Sequence, residues 1–278
     1  AISIMKHHFV GLVAVFLLAA PVVADERVAP NVSYSSVTEL PVTATYDTFS
    51  YGDDPLQFVE HWPAVNATAS APLVVFIHGG CWLNAYDIAH TRPAAQALAQ
   101  AGYEVASLEY RRTGDAGGGW PGTFQDIFQA LLVTLTRPPL QASEREVVVM
   151  GHSAGGHLAI LAGQALSEDV DHVIGLAAIT DLTTYAAGES GCEQAANSFM
   201  ANAAPSDWQQ ADPAQQQFSV DITLLQGTAD SIVPMQQATA LADQANIVTV
   251  EDAGHFDWVH PHSHAWQRLL QTLEQLTL

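Results

Sequence analysis

Short, mostly apolar runs recur along the chain, the most continuous being LVVFI at Leu73–Ile77, then 103–108, VVVM from Val147, 173–179, 222–225 and 247–250. Each is too short for a helix and too uniformly apolar for a half-exposed strand, so they predict strands buried on both faces. Between them, stretches of about 10–15 residues with helical spacing predict helices over 91–101, 123–136, 154–166, 235–244 and 264–275. Such alternation is the signature of a mostly parallel sheet with helices on both faces, an α/β architecture. Two segments break the rhythm. Residues 43–62 alternate polar with aromatic positions around a GDDP turn and predict an antiparallel hairpin. Residues 182–218, rich in Ala, Gln and Ser with Pro205 and Pro213, predict a cap or long loop inserted into one domain spanning 41–278.

The N-terminal part reads differently. From Met5, a single Lys6 precedes the apolar run Phe9 to Ala20, and Val22, Val23 and Ala24 supply a small-residue cleavage site before Asp25. Residues 1–24 are therefore expected to be a secretory signal with its preceding residues, which would make the protein secreted or periplasmic. The run is short against the ~20 residues of a membrane span, so no stable membrane insertion is expected after cleavage. An uncleaved anchor is the alternative. Residues 25–40, polar with scattered Ser, Val and Pro, predict a poorly ordered arm.

Composition narrows the function classes. With 49% hydrophobic and only 13% charged residues, the chain is too apolar to stay disordered. Eight Lys and Arg against 29 Asp and Glu give a formal net charge of −21. Such a surface repels nucleic acid and anionic membranes, which argues against a phosphate-tracking role; the charge is read as serving solubility, with steering of a cationic substrate as the alternative.

The chemistry is concentrated after the strand at Val147, where GHSAGG has the form G-x-S-x-G with Ser153 at its centre. A serine on a tight strand-to-helix turn is pushed out over the sheet end, with the first N–H groups of the following helix beside it. Taken alone, the motif could be a glycine-rich turn with an idle serine. A serine hydroxyl is a weak nucleophile at neutral pH and needs a base, a group to orient that base, and donors for the developing oxyanion. Asp230 in GTADSIVP and His255 in EDAGHFD each follow a late strand, on loops at the carboxyl ends of the sheet, and fit the acid and base roles. HGGCW after Leu73–Ile77 fits the oxyanion loop, giving the backbone N–H groups of Gly80 and Cys81 together with that of Ala154. His78 is expected to brace that loop and Asp126 to be a structural hydrogen-bond partner. Trp82 and Trp120 are candidate substrate walls that could equally be core. The HPHSH run (His260, His262, His264) is expected to be a polar helix entry. No metal and no cofactor are expected.

HGGCW, EYRR, GHSAGGHLA, GTADSIVP and AGHF together resemble the α/β-hydrolase superfamily, in particular its esterase branch with an HGG-x-W oxyanion loop. That branch is similar to kynurenine formamidases and to feruloyl and acetylxylan esterase-like hydrolases, and the likeness runs from about Leu73 to the C-terminus. It implies the α/β-hydrolase fold, the catalytic set Ser153, Asp230 and His255, and an oxyanion hole from Gly80, Cys81 and Ala154. Relatives often carry a third glycine where this chain has Cys81.

The expected activity is that of an exported serine hydrolase cleaving small or aromatic acyl esters through an acyl-enzyme, with a rate that falls in acid as His255 protonates. An arylformamidase with the same mechanism is the alternative, and a non-catalytic binding module of this fold is the alternative from another class. Cys81 and Cys192 are the only cysteines. Two free, buried thiols are the default expectation, and a bridge from the oxyanion loop to the cap is the other.

Overall fold

The computed structural model describes residues 27–66, 71–138, 140 and 142–277. The proposed signal segment 1–24 lies outside the described residues.

Eight strands form one sheet: β1 (Asp47–Ser50), β2 (Phe58–Trp62), β3 (Leu73–Ile77), β4 (Glu104–Leu108), β5 (Val147–His152), β6 (His172–Leu176), β7 (Asp221–Gly227) and β8 (Ala245–Val250). Their order is β1-β2-β4-β3-β5-β6-β7-β8. β1 and β2 pair antiparallel as the alternation of 43–62 predicts, β2 joins β4 antiparallel, and β4 through β8 run parallel. The helices are α1 (Tyr34–Thr38), α2 (Arg92–Gln100), α3 (Gly122–Thr136), α4 (Ala154–Ala165), α5 (Leu182–Ala186), α6 (Gly191–Phe199), α7 (Pro205–Ala211), α8 (Met235–Thr239) and α9 (His264–Leu276).

The period-two geometry of a strand explains why the central runs are apolar throughout. Leu73, Val75 and Ile77 of β3 and Val147 and Val149 of β5 enter one core, with Ile127 of α3 and Leu158 of α4. Val74, Phe76, Val148 and Met150 enter the other, with Leu98 of α2 and Trp266, Leu269 and Leu273 of α9. Each side chain leaves water, at roughly 1.5–3 kcal/mol per fully buried aliphatic or aromatic residue. Because β3 connects to β4 on one side while β5 lies on its other, the carboxyl ends of β3 and β5 open a crevice at a change of winding direction.

Several expectations change. The arm is ordered: α1 is capped by Ser33 Oγ accepting from Ser36 N–H at 3.2 Å, and the Val28 N–H reaches the His262 carbonyl at 3.1 Å. Contacts with the C-terminal quarter of the chain, invisible in local composition, hold it. The strand expected over 173–179 stops at Leu176, because Ala177 takes φ +46° and turns the chain off the sheet. The helix expected over 235–244 ends at Thr239. The insertion 182–218 folds into α5, α6 and α7; Asp212 ties its start to its end, the carboxylate accepting the N–H groups of Leu182 (2.9 Å) and Thr183 (3.1 Å), while Tyr185 Oη donates to the Ile232 carbonyl (3.0 Å) and Ala214 N–H to the Thr180 carbonyl (2.7 Å) of the body.

Candidate active site

Ser153 stands between β5 and α4 at φ 57° and ψ −121°, a conformation that costs a non-glycine residue on the order of 1–3 kcal/mol. The motif's glycines permit it by close approach. A Cβ on Gly155 would sit 2.2 Å from the Ile77 carbonyl oxygen, and one on Gly151 would sit 2.1 Å from that of Gly155, so any side chain would prise β3, β5 and α4 apart. All of α4 from Ala154 to Gly163 is buried, which fixes the turn from beneath.

Asp230 follows β7 and His255 follows β8, and the His255 Nδ1–H donates to Asp230 Oδ2 at 2.8 Å. The Asp230 side chain is fully buried. Its charge is met by the N–H groups of Ile232 (2.9 Å) and Val233 (2.8 Å) on Oδ1, and by Gln226 Nε2 at 3.4 Å on Oδ2. With Nδ1 carrying the proton, Nε2 of His255 keeps its lone pair, and among the described residues it makes no hydrogen bond. Ser153 Oγ is buried and likewise makes none. Ser153 and His255 line one cavity of about 460 Å³ with Gly80, Cys81, Tyr86, His90, Ile232 and Phe256.

The loop after β3 turns through three positive φ values, Gly80 (108°), Cys81 (53°) and Trp82 (58°). Among the described residues the N–H groups of Gly80, Cys81 and Ala154 donate to no acceptor, so they are available beside the serine. Gly79 abuts it: a Cβ there would lie 3.0 Å from that of Ser153. The loop is braced from below. His78 Nε2 donates to Glu109 Oε1 at 2.9 Å, the other Glu109 oxygen accepts Ile88 N–H at 3.0 Å, and the His78 ring stacks on Tyr110. Burial pushes the Glu109 carboxyl up, but neighbouring His78, the hydrogen bonds and Arg112 outweigh it and hold the group at about 2. Asp126 accepts from Arg111 Nε at 2.8 Å and Gln57 Nε2 at 2.7 Å, outside the cavity.

Neither tryptophan offered as a candidate substrate wall or core residue lines the Ser153 cavity. Trp82 is fully buried, stacked on Phe199, with its indole N–H donating to His157 Nδ1 at 3.2 Å. His157 Nε2–H in turn donates to the Ala211 carbonyl at 2.6 Å, so Trp82 ties the oxyanion loop to α4 and the cap. Trp120 packs on Phe124 and lines a separate groove with Phe218. The default expectation of free thiols is also corrected: Cys81 and Cys192 form a disulfide, joining the oxyanion loop to α6.

Tyr34, His90 and His152 are among the cavity residues that the sequence pattern does not single out. Tyr34 comes from the arm. His90, from the 3₁₀ turn Ile88–Thr91, donates Nδ1–H to the Asp87 carbonyl at 2.6 Å, and burial and His78 lower its pKa to about 4. His152, the residue before the serine, donates Nε2–H to the His255 carbonyl at 2.9 Å. Burial first and His255 second push its pKa well down, so it is a neutral donor. The x of G-x-S-x-G carries no expectation of its own, although a histidine there was a signal.

Most of the chain is similar to known proteins. The family model BD-FAE matches residues 61–245. Esterase LipC of Mycobacterium tuberculosis is 24% identical over 229 residues, 74% of this chain and 56% of that protein, so the chain spans little more than half the length of that relative. An inhibited esterase B from Lactobacillus rhamnosis superposes with a TM-score of 0.72 at 21% identity, covering 87% of this chain and 90% of the other. A truncated carbohydrate esterase from gut microbiota gives 0.69 at 18% identity, covering 84% and 97%. These structural likenesses establish the α/β-hydrolase fold.

Proposed function

The chain belongs to the BD-FAE family, and from that premise we propose that it is a serine hydrolase that cleaves carboxylic esters of small or aromatic acids through an acyl-enzyme. The observation that carries the reading is the 2.8 Å bond from His255 to buried Asp230 on the rim of the cavity that holds Ser153.

In this reaction Asp230 holds the Nδ1–H tautomer, and Nε2 of His255 takes the proton of Ser153 Oγ as that oxygen attacks the ester carbonyl. The N–H groups of Gly80, Cys81 and Ala154 receive the negative charge that develops on the carbonyl oxygen. His255 then protonates the departing alcohol. A water deprotonated by the same histidine attacks the acyl-enzyme, releasing the acid and restoring the serine. Esterase likenesses in the curated relative and the solved neighbours support the ester over the amide as substrate.

The test is covalent labelling. A fluorophosphonate should add one mass increment to the protein on Ser153, and Ser153→Ala should lose both the label and p-nitrophenyl acetate hydrolysis. An unlabelled wild-type protein, beside a labelled control esterase, overturns the reading.

Export belongs to the same proposal. The disulfide supports an oxidising compartment, and the apolar run from Phe9 with its small-residue site at Ala24 supports a cleaved signal. Sequencing the N-terminus of the protein recovered outside the cytoplasm should give Asp25; a start at or before Met5 contradicts it.

A further inference from the structure

The cavity that holds Ser153 is lined by two loops. One is the oxyanion loop, continued by Tyr86, whose side chain lies against Gly80 so closely that a Cβ on that glycine would meet the Tyr86 Cβ at 2.4 Å. The other is the His255 loop, continued by Phe256, whose ring lies 5.1 Å from the base. A single side chain spans the gap between them. Tyr34 sets its ring edge-on to Tyr86 at 5.7 Å and to Phe256 at 5.5 Å, and lies 5.7 Å from His90 behind. It lines the same cavity as Ser153.

Its position is fixed from outside the cavity. Val32 N–H donates to Asp257 Oδ2 at 3.3 Å, the same oxygen that accepts Gly254 N–H at 2.7 Å beside the base, and α1 buries Val37 beneath the tyrosine. Edge-to-face contacts with Tyr86 and Phe256 on two sides keep the ring from swinging aside freely.

We propose that Tyr34 is a specificity-determining residue: delivered by the arm, it closes the cavity between the oxyanion loop and the His255 loop and sets the largest acyl or alcohol group that reaches Ser153. This rests on the reading of Ser153 as the nucleophile. No bond is made or broken by Tyr34. It acts by occupying volume that a longer substrate would need.

The test uses the full chain with Tyr34→Ala, Tyr34→Phe and Tyr34→Trp. The acyl side is probed by p-nitrophenyl acetate, butyrate and octanoate, and the alcohol side by methyl, p-nitrophenyl and 2-naphthyl acetates. For Tyr34→Ala the kcat/KM ratio of the largest to the smallest member should rise at least tenfold in one of the two series, and that series identifies the side the ring guards. Tyr34→Phe should keep both ratios within twofold, and Tyr34→Trp should lower the ratio that alanine raises. Ratios unchanged in both series, or a parallel loss on every ester, overturn the proposal while hydrolysis of p-nitrophenyl acetate leaves the serine-hydrolase reading standing. Wild-type activity no greater than that of Ser153→Ala overturns both. Should the alanine variant fail to fold, the tryptophan variant carries the same decision in the opposite direction.

Discussion

His152 and His255 are joined by a hydrogen bond from the ring of one to the backbone of the other, 2.9 Å from Nε2 to the carbonyl oxygen, with their ring centroids 4.6 Å apart. The residue before Ser153 thereby holds the loop that carries His255. His152→Ala removes this donor and leaves the His255 carbonyl unpaired. Since a shift of about 1 Å in a reacting group costs around 100-fold, kcat should fall 10- to 100-fold while KM moves little. His152→Gln, which keeps an N–H donor, should recover part of the loss. Equal, small effects of both substitutions would remove the positioning role.

Asp230→Asn tests the orienting acid. An asparagine in that buried site presents an N–H to His255 where an acceptor is needed, stabilising the wrong tautomer. Steady-state kinetics on p-nitrophenyl acetate should show kcat reduced roughly 10³- to 10⁴-fold with the fold retained by circular dichroism. A loss below tenfold would mean that another group orients the histidine.

The disulfide closes a long loop, with its partners 111 residues apart, and links the oxyanion loop to α6. Cys192→Ala should lower unfolding stability by about 2–4 kcal/mol in urea titrations. Reductant should bring the wild type to the same midpoint and leave the variant unchanged. Turnover should fall as well, because the Cys81 N–H loses its anchor.

Acid should weaken the fold before it protonates most carboxylates. Burial holds the pKa values of His157 and His90 at about 4 in the folded chain against 6.5 when unfolded. Below 6.5 the unfolded chain therefore binds more protons, and stability is lost as the pH falls from 6.5 towards 4, by up to about 1.4 kcal/mol per pH unit per histidine. Glu109, at about 2 folded against 4.5, contributes only between 4.5 and 2. Thermal melts of His157→Gln should start lower at pH 7 yet fall less between pH 6.5 and 4.5 than the wild type. Parallel curves would contradict the assignment.

What could be read from the sequence was what local pattern enforces. Central strands must be apolar on both faces, the Ser153 turn must have glycines where backbones touch, and Asp230 and His255 follow strands whose parallel order brings their ends together. Trp82 and Trp120 were ambiguous because an indole suits a core as well as a pocket, and the decisive fact, the run of positive φ at Gly80–Trp82, is a tertiary outcome. The order of the arm has a related cause. Nothing within residues 25–40 reveals that Asp257 waits for Val32, so its order depends on residues that no local window contains. The bridge between Cys81 and Cys192 depended likewise on where the insertion folds.

The bond between Val32 and Asp257 also has a temporal meaning, for the two residues are separated by 225 positions. A chain growing from its N-terminus exposes Tyr34 early but cannot seat it until the segment bearing the base has been synthesised. The cavity wall and the proton acceptor are thus completed by one late event. Shorter nascent chains would hold Ser153 without either, so the cavity gains both in a single step once the segment bearing Asp257 has been made.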